Sequence, residues 1–398
     1  MHRITVVGGG IAGLAAAIEA AEGGARVTLH EAHKEPGGRG RAIGGPYTAH
    51  EGPHVFYADG PHWPWLKERG LIGRLGLPPA RAGLHAGFRH QGRFTRIPPA
   101  GFLRMAADRK RTAPVDEDFR TWAVRHYGEQ AAEAAASAVG VVTYTADTGR
   151  LSAAYVWNLF GRIFAPKIPA VRWVAGGWQA VVDRMVRHAR DLGVRIETGS
   201  RVTEVPETPV IVATELSSAR ALLGDPSLEW ESGYCVLLDV ALRPGRRDAF
   251  VLSDLDEGGF HECYSMQDPT VAPAGESLFQ LDMPVRDGEG HAEAHARLRR
   301  FAETALPGWE ERTLWQRTGT ARGRTGALDL PGTTWRDRPA IVRGDGVFLA
   351  GDMVAAPGMR GEISLNSGIA AAQAALHSLG LRAGPGPAAR FGARPLHR

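Results

Sequence analysis

Three glycines at fixed spacing are the first residues in this chain whose arrangement can do chemistry. In Gly8-Gly9-Gly10-Ile11-Ala12-Gly13 they stand at positions 8, 10 and 13, after the apolar run Arg3 to Val7 and before the breaker-free run Ile11 to Ala21. Strand, glycine turn and helix start make an anion cradle. Gly8 permits the tight turn, Gly10 admits a pyrophosphate to the backbone, Gly13 lets helix pack on strand, and the N–H groups opening the helix at Ile11 and Ala12 offer positive dipole to phosphate. Glu31 lies 21 residues beyond Gly10, at the end of a second strand pattern, where a carboxylate accepts hydrogen bonds from a ribose diol. A negative charge there repels a 2′-phosphate, so NADP is not expected.

Two further segments fit the same ligand. Pro36-Gly37-Gly38-Arg39-Gly40-Arg41 puts two arginines on a flexible loop, suited to neutralising a diphosphate. Near the other end, the buried strand pattern Val347 to Ala350 runs into Gly351-Asp352.

The elements needed to position these groups are legible in outline. Strand patterns cover Arg3 to Val7, Arg26 to His30, Val194 to Thr198, Arg201 to Val205 and Val210 to Ala213, and β structure is expected from Tyr234 to Pro284. Helices are expected at His62 to Leu75, Phe119 to Arg125, Glu129 to Val139, Ala153 to Phe164, Trp178 to Leu192, His291 to Ala305 and Ile369 to Leu379. The fold class is therefore α/β with an α+β insert: a Rossmann-type dinucleotide domain and a discontinuous mixed substrate domain. We place the first at 1–79, 176–229 and 326–379, the second at 80–175 and 230–325, and a mobile tail at 380–398.

With 398 residues, 43% hydrophobic and 23% charged, the chain has the composition of a folded globular protein. Its 47 basic and 43 acidic residues are too evenly matched to argue for nucleic acid. Only four of the basic residues are lysines, an arginine bias that reads as codon usage. Cys235 and Cys263 form no metal-ligand spacing and no disulfide framework, so no metal and a reducing compartment are expected. There is no leader-like N-terminus and no run of about 18 apolar residues, so a cytoplasmic protein is expected, with peripheral membrane contact left open and the oligomeric state unread.

Taken together, the segments resemble the flavin amine oxidase and phytoene desaturase superfamily. The resemblance rests on Glu31-Ala32 through Gly38-Arg39, Glu51-Gly52-Pro53-His54-Val55-Phe56, Gly176-Gly177-Trp178, Arg201 to Val205, Val210 to Thr214, and Val347 to Asp352 followed by Ser367-Gly368, in that order. It implies non-covalent FAD, since no cysteine stands where a covalent link would form. It also implies that Arg39 holds the pyrophosphate, Gly52, Pro53, His54 and Val55 border the isoalloxazine, the Val202 backbone meets the adenine, and Asp352 binds ribitol or phosphate. Gly361-Glu362-Ile363 would precede the last helix, whose N–H groups would face the flavin N1–C2=O edge; Ile363 departs from the small residue usual there.

The implied activity is removal of a hydride from a hydrophobic small molecule, first a carbon–carbon dehydrogenation of an isoprenoid or natural product. Amine or amino-acid oxidation is the alternative, and a non-catalytic binding protein on the same fold the third. On the substrate side the residues are less telling. His261 and Cys263 share one face of a strand, read as a surface His and a core Cys; Trp173, Trp178, Tyr155, Trp157 and Phe160 read as core; Lys167 reads as a surface lysine, and Arg317, Arg322 and Arg324 as a solvated loop. No G-x-S-x-G or other hydrolytic signature occurs.

Overall fold

The computed structural model describes residues 2–52, 54–108, 110–165, 170–207 and 209–382. Pro53, Lys167 and most of the expected tail lie outside the described residues.

Arg3–Val7 buries Ile4, Val6 and Val7 and becomes an inner strand of a six-stranded sheet. The order is Val342–Gly344, Val347–Leu349, Val210–Val212, Arg3–Val7, Arg26–Glu31, Arg195–Thr198, parallel except for the first pair. Chain order reverses at Arg3–Val7, which opens a crevice at the carboxyl ends of the strands, the usual ligand position in such sheets. Helices Ile11–Glu22 and Gly361–Ser378 pack on each other so closely that a Cβ on Gly368 would lie 2.3 Å from the Ala12 carbonyl oxygen.

Gly13 sets the angle between first strand and first helix. A Cβ there would stand 1.8 Å from the Gly8 carbonyl oxygen, and both partners are backbone. Gly13→Ala is expected to destabilise the protein by about 3 kcal/mol or more, as forced overpacking does, measured by denaturant melting.

The second sheet has seven strands in the order Thr313–Ala327, Ser232–Leu242, Ser277–Pro284, Phe260–Cys263, Val251–Asp254, Ala86–His90, Arg93–Thr95. Side chains alternate across it. Val236, Leu238, Leu281, Met283 and Cys263 pack with Leu298 and Phe301 of helix His291–Ala305 in one core. The opposite face carries Cys235, Leu237, Asp239, Gln280, Asp282 and Glu262. A third core gathers helices Ala100–Ala107, Phe119–Tyr127, Glu129–Thr143 and Ala153–Phe164 around Phe102, Trp122 and Phe160.

Three expectations change. The helix expected to reach Leu75 ends at Glu68: Gly70 turns the chain at φ 63°, and Leu75–Gly76 pairs instead with Val174 and Trp173. Arg201 to Val205 forms no strand; after Ser200 N–H donates to the Glu31 carbonyl at 2.8 Å, the segment leaves the sheet edge and runs toward Pro206. The last helix begins at Gly361, not Ile369. Ser364, Asn366, Ser367 and Gly368 are weak helix formers, but Ser367 Oγ donates to the Gly351 carbonyl at 3.0 Å and Asn366 Nδ2 to the Pro357 carbonyl at 2.8 Å, so tertiary bonds hold the early turns.

Candidate cofactor and substrate site

A cavity of about 750 Å³ fills the crevice and continues to the polar face of the second sheet. At its outer end, Gly8 turns at φ 103°, and a Cβ there would meet the Ala213 carbonyl oxygen at 2.6 Å. Gly10 is the reverse case: a Cβ would meet nothing within 4 Å, so this backbone faces open cavity at the start of helix Ile11–Glu22.

Of the residues singled out by sequence, Gly8, Gly10, Ile11, Ala12, Glu31, Ala32, Gly38, Arg39, His54, Val202, Gly351, Asp352 and Gly361 line this cavity. Gly13 lies under the turn. Arg41 is tied to Glu35 and to the Pro36 carbonyl. Gly52 packs against Leu237 and the Tyr144 hydroxyl, and Val55 lines a smaller adjoining pocket. Glu362 turns to Arg162 at 2.6 Å, and Ile363 is buried among Val7, Leu349 and Val354. Gly361 to Ile363 therefore belong to the helix's first turn. The N–H groups of Glu362 and Ile363 already donate to the carbonyls of Met359 and Arg360, so Gly361 is the member of this trio whose backbone remains on the cavity.

Glu31 Oε2 accepts the Gly9 N–H at 2.8 Å, and Oε1 accepts the His33 N–H at 2.8 Å and pairs with His33 Nδ1 at 2.7 Å. Three of the roughly four lone-pair positions of a carboxylate are thus engaged. Across the cavity Arg39 Nη1 donates to Asp352 Oδ2 at 2.8 Å and to the Arg324 carbonyl. Arg324 pairs with Glu51 at 3.1 Å and Glu215 at 3.7 Å.

The inner end combines His54 and Trp178, which the sequence motifs contain, with residues that no motif announces. His50 and His54 line it with ring centroids 3.9 Å apart, and His54 stacks on Tyr264 at 4.1 Å. Among the described residues, both ring nitrogens of His50, Nδ1 of His54 and Nε1 of Trp178 are buried without a hydrogen-bond partner. Burial pushes His50 well below the usual histidine range, helped by His54 and Arg317, and burial pushes His54 down to about 3, so both are neutral at pH 7. The His54 N–H donates to the Tyr264 hydroxyl at 2.6 Å, and that hydroxyl bonds Glu262, whose carboxyl burial raises to about 7.

Tyr144 and Arg360 form the opposite wall. Both hold positive φ, 53° and 52°, in regions that cost a non-glycine residue about 1–3 kcal/mol. Arg360 lies 3.8 Å from the Tyr144 ring centroid and donates to the Val141 and Val142 carbonyls at 2.6 and 3.0 Å, which closes the C-terminus of helix Glu129–Thr143.

Cross-strand register assembles the floor. Arg317, Asp239, Gln280 and Glu262 stand in one row across four strands. Arg317 Nε donates to Asp239 Oδ2 at 2.7 Å, Gln280 Nε2 donates to Asp239 Oδ1 at 2.8 Å, and Gln280 and Arg317 both donate to the His50 carbonyl. This row anchors the loop that carries His50 to His54. In the next row Asp282 stands opposite Leu237, fully buried and with both oxygens unpartnered; burial raises its carboxyl well above the usual range although Arg360 opposes this.

His261 is fully buried, stacked on Phe279 at 5.4 Å, so it shares the core with Cys263; the intervening Glu262 faces the site. The three arginines lie on the strand Thr313–Ala327, not on a loop, with Arg322 over Tyr234 at 5.1 Å. Trp157 and Phe160 are core, Tyr155 donates to the Ala327 carbonyl at 3.0 Å, Trp173 donates to Glu262 at 2.6 Å, and Trp178 lines the cavity. A readable signal existed: Asp239 in CVLLDVAL, and Gln280 and Asp282 in LFQLDM, are polar residues in one phase of otherwise apolar strands.

Comparison with known proteins agrees with this geometry at the level of fold. Residues 6–68 match the NAD(P)-binding Rossmann-like domain family. The whole architecture is shared with solved structures of an oxidoreductase, an amine oxidase and a sugar mutase. An oxidoreductase from Methanosarcina mazei superposes with TM-score 0.73 at 15% identity, covering 92% of this chain and 99% of that one. Cyclohexylamine oxidase from Brevibacterium oxydans gives 0.68 at 16% identity, covering 95% and 99%. Reduced UDP-galactopyranose mutase gives 0.68 at 13% identity, covering 96% and 94%. No curated protein matches the sequence. Among the described residues no cluster suits a metal ion, and no helix is long and apolar enough to cross a membrane.

Proposed function

We propose that this protein is an FAD-dependent oxidoreductase that removes a hydride from a largely apolar small molecule, by preference at a carbon–carbon bond. One observation carries the reading: a single cavity joins the glycine cradle to a chamber walled by His54, Trp178, Tyr144, Cys235, Leu237 and Ala321.

The residues present fit a flavin dinucleotide held without a covalent bond. Open space at Gly10, the N-terminus of helix Ile11–Glu22, Arg39 and the remaining acceptor position on Glu31 suit pyrophosphate and ribose. The partnerless nitrogens of His50, His54 and Trp178 suit the polar edge of a ring system. FAD, when bound, supplies the two-electron chemistry. The chain's own contribution is to hold the substrate against the ring, exclude water with Tyr144, Cys235 and Leu237, and present neutral His50 and His54. The loop bearing those histidines is fixed by Asp239, Gln280 and Arg317.

The test is the absorption spectrum of the purified protein, flavin release on heating, and anaerobic bleaching by apolar substrates; a colourless protein that takes up no FAD refutes the reading. Arg39→Ala is expected to weaken FAD retention by roughly 10–100-fold, corresponding to about 1.5–3 kcal/mol for a charge-assisted bond, followed by dilution and flavin fluorescence. Oxidation of a carbon–nitrogen bond is the second reading. It is favoured by the amine oxidase among the similar folds. Hydrogen peroxide produced with amines, and not with hydrocarbons, would select it.

A further inference from the structure

We propose that the corner of the molecule between Leu75 and Leu103 docks on an anionic lipid bilayer. Among the described residues eleven large hydrophobic side chains are exposed, and six of them, Leu75, Leu77, Leu84, Phe94, Ile97 and Leu103, fall in this one stretch. Leu77 is 80% and Ile97 71% exposed, far more than scattered surface leucines need be.

The same stretch is where charge is most lopsided. The whole chain is nearly balanced, yet from Gly70 to Val115 it carries nine lysines and arginines against one acid, Asp108. Arg89 is neutralised by Asp254 at 2.9 Å and Arg111 by Asp108 at 3.0 Å. Arg81, Arg93 and Arg96 are exposed and, among the described residues, lack an acidic partner.

The local fold leaves these apolar and basic groups at the surface of successive elements. Ala86–His90 and Arg93–Thr95 form a hairpin at the edge of the seven-stranded sheet, turning through Gln91 and Gly92 at φ 52° and 72°. The turn is pinned by Asp256, which accepts both N–H groups at 2.7 and 2.8 Å, and Arg93 and Phe94 on the outer strand and Arg96 just after it are exposed. Next, helix Ala100–Ala107 buries Phe102, Met105 and Ala106 and leaves Leu103 and Arg104 exposed. Leucines and isoleucines interleaved with unpaired arginines match a surface of lipid headgroups above acyl chains: the apolar tips enter the boundary and the guanidinium groups meet phosphates. An apolar partner protein would not require the charge, and a nucleic acid would not require the leucines.

The test uses the full chain with its flavin and sedimenting vesicles of phosphatidylcholine alone or mixed with phosphatidylglycerol. The protein is expected to pellet with the mixed vesicles at low salt and to be released as salt screens the arginines. Arg93→Glu with Arg96→Glu is expected to weaken binding roughly 10–30-fold or more, at about a factor of five per arginine near an anionic surface. Leu77→Ser with Ile97→Ser is expected to weaken it comparably. Neither pair lines the dinucleotide cavity, so flavin content should not change, and the outcome is independent of the redox reading. Absence of binding to the mixed vesicles, or equal binding by wild type and variants, overturns the proposal. So does a dimer in solution that the Leu77 and Ile97 changes dissociate, which would assign the patch to a second copy of this chain.

Discussion

Gly10→Glu is expected to give a folded, colourless protein. A Cβ at Gly10 meets nothing within 4 Å, so the longer side chain has room in the protein alone and the melting temperature should stay close to wild type. The same open space is where a pyrophosphate would approach the backbone, and a carboxylate projected there both fills it and repels the phosphates. Loss of FAD should exceed 1000-fold in affinity, roughly the 4 kcal/mol of a displaced diphosphate contact plus like-charge repulsion. The contrast with Gly13 makes the result diagnostic. Both glycines belong to one motif, but Gly13→Ala strikes backbone and should damage folding, whereas Gly10→Glu should damage only flavin content. A yellow Gly10→Glu protein with normal flavin content would show that the cradle does not hold the dinucleotide.

That contrast marks how much of the site was legible in the sequence. Gly8, Gly10, Gly13 and Glu31 were readable because strand, turn, helix and strand are contiguous, and their chemistry depends only on local backbone geometry. The inner chamber is not legible, because His50, Tyr144, Arg360 and the strand pair Cys235 and Leu237 come from four separate segments that meet only in the tertiary fold. Alternation places His261 and Cys263 on one face, but period two says which residues share a face and not which face meets the core. The helix packed behind the sheet decided that, putting His261 inside and turning Glu262 to the site. The early start of the last helix was hidden for a related reason. Ser364, Asn366 and Ser367 argue against helix by propensity, and the bonds that overrule propensity go to Gly351 and Pro357, more than one helical turn away in sequence. Tyr144 and Arg360 illustrate the same limit from the backbone side. A positive φ at a bulky residue has no sequence signature, and here the two such residues face each other, Arg360 lying 3.8 Å from the Tyr144 ring centroid.

The floor of the chamber is expected to be its most fragile part, and in a pH-dependent way. Asp239 is 1% exposed and held by Arg317 and Gln280; burial raises its carboxyl to about 6 even though Arg317 and Gln280 both pull it down. Because the folded value exceeds that of an unfolded aspartate, the wild-type contribution is fully present at low pH and declines as pH rises from about 4 through 6. In Arg317→Ala the opposing cation is gone, so the folded value rises further and the decline extends to higher pH. The variant should lose about 3–5 kcal/mol of stability at pH 8, the cost of stranding one member of a buried ion pair, and distinctly less at pH 5, where Asp239 takes a proton and no charge is left unpaired. The His50 carbonyl also loses one of its two side-chain donors. The histidine loop should therefore loosen, and flavin retention should fall most at the alkaline end. Parallel denaturant melts of wild type and variant from pH 5 to pH 8 measure the difference. Arg317→Ala with Asp239→Asn should recover much of the alkaline loss, because an amide can keep the Gln280 contact without carrying the charge; a pH-independent deficit in the single variant would show instead that Arg317 acts by packing alone.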